Sequence, residues 1–454
     1  MRQLVWSALI WTAWSGMALA HASEQGFVLL LPTDVYIRAG VASVGLTAVM
    51  LALLPARVMV ALFAPCHLWP LRRPRWHLVT STVSAILLTG LILAGLYGDR
   101  DPLTNPMPLF IWVVWWIGLV TVQGLFFDHW RWSNPWVGPA ALLHRLTGEC
   151  APLRYPRRWG YGPGIAGFLA FAGFLLADPA PADPARLAVL VGLYWLLMLV
   201  GTALFGARWL LRAEAVTILM RIYGRAAIFG RHRGRRAAGL PGWQITRRGS
   251  GGIGAGLFVL LALGSGSFDG LNETFWWLGI LGLNPLEFPG RSAVVIQTLT
   301  GLIVVNAVLI PAFAGSLWLG LKAAGGEVRL TRAFAAFAPS ILPIALGYHI
   351  AHYLTTFLVD GQYVIKAVSE TLGGNDIRVT AGFLNTPGTV KLIWLSQAGA
   401  VVIGHVIAIL VAHALALQVF GNPRRAMLSQ VPLAVFMIAY TFFGLWLLAS
   451  PRGF

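Results

Sequence analysis

"LIWLSQAGAVVIGHVIAILVAHALALQ" (392–418) contains no Asp, Glu, Lys or Arg. Coiled into an α-helix at about 1.5 Å per residue, it covers the roughly 30 Å of a bilayer core with residues to spare. It therefore reads as a transmembrane helix. Comparable runs lie near 35–55, 77–97, 107–127, 161–177, 187–207, 251–267, 292–321, 334–358 and 430–449, those near 161–177 and 251–267 being short and glycine-rich. Of 454 residues, 57% are hydrophobic and 11% charged, too apolar a balance for a soluble domain. The expected fold class is all-α: a polytopic integral membrane helix bundle of about ten transmembrane helices after a cleaved signal peptide.

The signal peptide is expected over 1–20 (or 1–22), from Arg2 and the apolar "LVWSALIWTAWSGMALA" followed by small residues that permit cleavage after Ala20 or Ala22. An uncleaved first anchor is the alternative. Residues 21–454 then form a single transmembrane helical domain. Cleavage after Ala20 would leave His21 as a terminal Cu(II) chelator, whereas cleavage after Ala22 removes it; the plainer reading of "AHA" is a cleavage sequence.

Loop charge tests the helix count, because Lys and Arg gather on the cytoplasmic side. With the mature N-terminus outside, segments 56–76, 128–160, 208–250, 322–333 and 419–429 are inner and hold 24 Lys+Arg against 4 acids. The outer segments, Arg2 aside, hold 8 against 12. This alternation accounts for the net charge of +17 and makes the expected topology multi-pass, with the mature N-terminus and the C-terminus on the side away from the cytoplasm. The basic stretch "RIYGRAAIFGRHRGRRAAGLPGWQITRR" (221–248) then reads as a topology signal drawn to anionic lipid rather than a nucleic-acid patch. Cys66 and Cys150 both fall in inner segments, where thiols stay reduced. Two outer segments are more than connectors: 267–291, with a short aromatic stretch suited to the headgroup interface, and 360–391, long enough to fold over an outer mouth.

Ten histidines occur, and four of them fall deep in membrane runs: His349 and His352 in "LGYHIAHYL" (346–354), His405 and His413 in 392–418. Three residues apart, His349 and His352 share a helix face. Counting helix rise from the midplane puts His405 near mid-depth, His349 about 4–5 Å and His352 about 9 Å outward, and His413 about 12 Å inward of His405. Intramembrane ionisable groups point to function, and His at i and i+3 suits zinc, copper or iron. The expected metal ligands are His349, His352 and His405, with Asp269 and Asp360 completing the set or orienting an imidazole; Glu273 and Asp34 are secondary candidates. Against this stand two plainer readings: histidines hydrogen-bonded across helices beside Tyr348 and Tyr353, and Asp269 in "SFDG" as a helix cap. The sequence holds no HExxH, GxSxG, phosphate-binding glycine loop or paired intramembrane carboxylates, which disfavours acyl-transfer and nucleotide chemistry.

Together, "HASEQGFVLLLPTDVYI" (21–37), "SFDGLNETFWW" (267–277), "NPLEFPGRSAV" (284–294), "GYHIAHYL" (347–354) and "GHVIAILVAH" (404–413) resemble the bacterial multi-pass membrane proteins of the fenitrothion hydrolase family over most of the chain. The resemblance implies hydrolysis of an organophosphorus triester with release of a nitrophenol, and transfers no catalytic residue. The expected partners are the lipid bilayer and an apolar organophosphorus substrate, with room for a second membrane subunit, and the expected cofactor is a divalent zinc or copper ion that supplies hydroxide. The alternatives are copper or other metal handling, against which the 9 methionines without an MxxM cluster speak, a b-type haem protein with one histidine from each helix, and a subunit without chemistry of its own.

Overall fold

The structure is a computed structural model describing residues 26–70, 76–148, 151–249, 251–287 and 290–452. The expected signal peptide, both cleavage sites, His21 and Cys150 lie outside the described residues, and Cys66 carries a free thiol.

The chain is an all-α polytopic helix bundle. Nine helices among the described residues are long and apolar enough to cross a membrane. They are α1 (Thr33–Leu53), α2 (Trp76–Tyr97), α3 (Pro106–Leu125), α5 (Pro184–Phe205), α7 (Ile253–Leu271), α8 (Val295–Ala323), α9 (Leu342–Thr371), α10 (Pro387–Phe420) and α11 (Pro423–Ala449). A tenth, α4 (Gly162–Ala177), has 16 residues and at about 1.5 Å each falls short of a full core. Several starts are written into the sequence. Asp183 accepts from the Arg186 N–H and Asn422 from those of Arg424 and Arg425, each with proline at the first helical position.

Contacts between segments support the alternation of sides. Strand β1 (Cys66–Pro70) pairs with β3 (Arg235–Ala238), which pairs with β2 (Phe229–His232), so segments 56–76 and 208–250 share one end of the bundle. Arg233 and Gly234, both at positive φ, close the β2–β3 hairpin as the twist of paired strands favours. At the same basic end, Arg425 pairs with Glu327 at 2.7 Å. At the opposite end Thr274 bridges to Arg452, joining segment 267–291 to the C-terminus.

Two segments depart from expectation. Segment 208–250 is no simple loop: α6 (Ala215–Tyr223) is buried on nearly every side, Gln123 Nε2 donates to Met220 O at 2.7 Å, and Trp243 and Gln244 are buried. The arginines that made the segment read as a loop flank α6 or, like Arg221, point out from it to solvent, while the apolar residues of "AVTILMRIY" pack inside. Glu214 begins α6, its carboxylate accepting from the N–H groups of Val216 and Thr217 and from the Tyr194 hydroxyl. At the other end, α9 runs on to Thr371, well past the expected end near 358, because nothing between Val359 and Thr371 opposes the helix but one glycine. Gln362 then ties the returning chain by donating to Thr380 O and accepting from Thr380 N–H.

Helices α9 and α10 cross backbone to backbone. A Cβ on Gly347 would lie 2.4 Å from Ala400 O, and one on Gly404 would lie 2.5 Å from Pro343 O. Two glycines facing each other permit this approach, the usual device where lipid removes the hydrophobic drive for helix association.

Candidate active site

Helix α7 owes its character to "GSGSFDG" (264–270). Its small residues leave a notch, and Tyr348 from α9 fills it: a Cβ on Gly270 would fall 1.9 Å from the Tyr348 hydroxyl. Close packing at this point brings the last turns of α7 against the histidine face of α9. Asp269 lies inside α7, not at its cap, and its Oδ2 sits 3.1 Å from His352 Nε2 while accepting from the Tyr353 hydroxyl at 2.5 Å. Side chains of His352 and Asp269 are only 9% and 15% exposed, so this is a charge-assisted cluster taken out of solvent.

The third wall is α3, whose Leu109–Leu119 portion is a π-helix. π-Helical turns are rare and frequently occur at functional sites. This one presents Trp116, whose ring meets His349 edge-on at 5.1 Å and Tyr353 at 6.1 Å. Below, α6 brings Tyr223 to 6.5 Å from the His349 ring.

These groups enclose a cavity of about 40 Å³ lined by Trp116, Tyr223, Asp269, Tyr348, His349, His352 and Tyr353 among apolar neighbours. Four buried polar atoms on its lining residues lack a hydrogen-bond partner among the described residues: His352 Nδ1, His349 Nε2, the Tyr348 hydroxyl and Trp116 Nε1. Trp116 Nε1 faces the Tyr353 hydroxyl without reaching bonding geometry. A native interior leaves few such groups, and four on the lining of one cavity mark a place shaped for a polar guest. The volume suits a small group, since a water needs roughly 10–15 Å³ on this measure.

A second cavity, of about 530 Å³, adjoins it at the arginine-poor end, and His352 lines both. Its walls include Asn272, Glu273, Arg291, Thr355, Gln397 and Arg452, with Glu273 paired to Arg291 at 3.5 Å. Segment 267–291 thus helps form this chamber. Segment 360–391 contributes no residue to its lining.

The five expected metal ligands are not assembled. His349, His352 and Asp269 share the small cavity, but Asp269 is already engaged by His352 and Tyr353. His405 turns Nδ1 to Val401 O at 2.8 Å and its ring toward Tyr440, 6.4 Å away, where Tyr440 bonds Ser267. His405 and Asp360 line neither cavity, Asp34 is exposed on α1, and His413 is buried elsewhere on α10. Among the described residues no group of three or more His, Cys, Asp or Glu is placed to hold one ion. The donor set therefore does not fit a resident zinc or copper ion. A haem between α9 and α10 fits no better: those helices touch through their backbones, and the cavity beside His349 is far too small for the macrocycle.

The resulting arrangement is an oriented imidazole. With Nε2–H donated to Asp269, His352 has its Nδ1 lone pair free, as a general base requires. Trp116 and Tyr223 escaped the sequence reading. A π-helix has no pattern that can be told from an α-helix by residue type, but the apolar run of "AVTILMRIY" was a signal that this part of the basic segment is buried.

Compared with known proteins, the chain matches no family model, no curated protein and no solved structure.

Proposed function

We propose that the protein is a membrane-embedded hydrolase of apolar phosphotriesters of the fenitrothion kind, with His352 as general base and Asp269 as the residue that orients it. The observation that carries this reading is the set of four unpartnered polar atoms on the cavity beside the Asp269–His352 contact. The resemblance to the fenitrothion hydrolase family supplies the substrate class.

In this mechanism the larger chamber receives the aryl and alkyl groups, its volume lying within the usual range for small-molecule sites. The phosphorus centre sits at His352. A water gives its proton to His352 Nδ1 as its oxygen bonds to phosphorus, the P–O bond to the aryl group breaks, and nitrophenolate leaves with the electron pair. The Asp269 carboxylate stabilises the imidazolium that forms. A donor on the same wall, the Tyr348 hydroxyl, serves the phosphoryl or thiophosphoryl atom as it gains charge. A nitrophenolate is a good leaving group and needs no general acid. A triester has no net charge and calls for no cationic clamp, and Arg291 on the chamber wall is already paired with Glu273.

The test is nitrophenolate release from fenitrothion by inner membranes expressing this chain alone, beside membranes expressing His352→Gln at equal level. Release by the first and not the second supports the proposal. Equal release by both, or by neither, removes it.

A further inference from the structure

The basic end of the bundle holds another cavity, of about 430 Å³, where the sheet meets α2 and the turn of helix at Trp130–Ser133. Arg231 and Arg236 both line it, and the hairpin register sets them directly opposite one another. Directly paired cross-strand residues project to the same face, where like charges repel. Arg131 is a third arginine on the wall and His77 a fourth basic group. No side chain among Arg131, Arg231 and Arg236 takes part in an ion pair of the described residues. Asp128, the one carboxylate among the described residues of the lining, accepts from Gln123 Nε2 at 3.0 Å. Arg236 is held by aromatic faces instead, its guanidinium 5.9 Å from the Trp69 ring and 5.7 Å from the Trp132 ring, an arrangement that leaves its N–H donors unspent.

Charge of one sign gathered around a concave wall calls for an anion, and planar guanidinium forks match phosphate oxygens two at a time. The surroundings narrow the source. Trp69, Phe127 and Phe229 line the same cavity and are exposed, as aromatic rings are at a membrane interface. We propose that this cavity binds the phosphate of an anionic phospholipid headgroup, with Arg131, Arg231 and Arg236 on the phosphate and the exposed rings against the lipid's glycerol and upper acyl region. Free inorganic phosphate offers the same oxygens but nothing for the rings. The site lies at the opposite end of the bundle from the chamber at His352 and is independent of the proposed hydrolysis.

The experiment is native mass spectrometry of the full chain released from membranes of mixed phosphatidylglycerol and phosphatidylcholine, with R231Q/R236Q, R231K/R236K and R131Q beside the wild type. Wild type is expected to retain phosphatidylglycerol over phosphatidylcholine on the order of tenfold. R231Q/R236Q should fall to parity and the lysine pair should keep part of the preference. R131Q lies off the hairpin, so its reduced preference gives a reading that does not depend on the hairpin folding. A separate titration with inorganic phosphate in lipid-free detergent distinguishes the sources. Phosphate binding without phosphatidylglycerol enrichment, or enrichment that survives both R231Q/R236Q and R131Q, overturns the proposal.

Discussion

Asp269 on α7 and His352 on α9 meet at 3.1 Å, Oδ2 to Nε2, and this contact decides which imidazole nitrogen faces the cavity. Asp269→Asn presents an amide that can donate to Nε2 and so favours the other tautomer, with Nδ1 protonated and unable to accept. Nitrophenolate release is expected to drop on the order of 10²–10⁴-fold, the usual worth of a general base, with the protein still inserted. Tyr353→Phe removes only one of the two bonds to Asp269 and should cost much less. An Asn variant as active as wild type would count against the assignment.

Metal removal gives a sharper division. Since no three donors converge among the described residues, incubating membranes with a strong chelator should leave release unchanged. Loss of release that added zinc restores would replace the Asp269–His352 base with an ion held at His349 and His352.

The α9–α10 crossing predicts a packing defect. Gly347→Leu or Gly404→Leu puts side-chain atoms where a backbone carbonyl lies within 2.5 Å of the first added carbon. Overpacking costs about 1–3 kcal/mol where side chains can yield, and a carbonyl on a neighbouring helix yields less. Both variants should melt well below wild type in detergent, whereas Gly399→Leu, which meets nothing within 4 Å, should not.

How far the sequence carried can be judged from particular residues. Helix positions followed from apolar length, since lipid demands internal backbone pairing and long apolar runs are readable one at a time. The pairing of His349 with His352 followed from spacing, and Asp269 was named as a group that could orient an imidazole. His405 was misplaced because depth along a helix was legible while its rotation was not: one turn of the face sends the ring to Tyr440 instead. Tyr223 was hidden because arginines around it obscured a buried helix. No spacing rule relates Arg231 to an anion site until the hairpin register is known.

The hairpin end has its own pH dependence. Burial first, then the positive charges of Arg233, His67 and Arg247, push His232 below the ordinary imidazole value. A depressed value in the folded state means this contribution to stability is present above about pH 6.5 and is lost as pH falls through the folded value. The 3.0 Å contact between His67 Nε2 and His232 Nδ1 needs one unprotonated nitrogen, which acts in the same direction. Thermal stability in detergent should decline from pH 7 to pH 5, and His232→Gln should flatten that decline; an identical slope in the variant would exclude His232 as the group responsible.

Glu214 gives a prediction about folding. Three donors converge on its buried carboxylate, and Glu214→Ala leaves them without a partner at about 1–3 kcal/mol for each unsatisfied group. Tyr194→Phe removes a single donor and should be milder. Melting temperatures of the two variants, ranked against wild type, check the order.

The glycine contact between α9 and α10 also constrains traffic. Helices whose backbones touch leave no seam for a lipid-dissolved molecule to part, so these two must move as one plate. A substrate leaving the bilayer for the chamber at His352 has to enter elsewhere around its rim. The door, wherever it opens, is hung on other helices, and α9 and α10 are its frame.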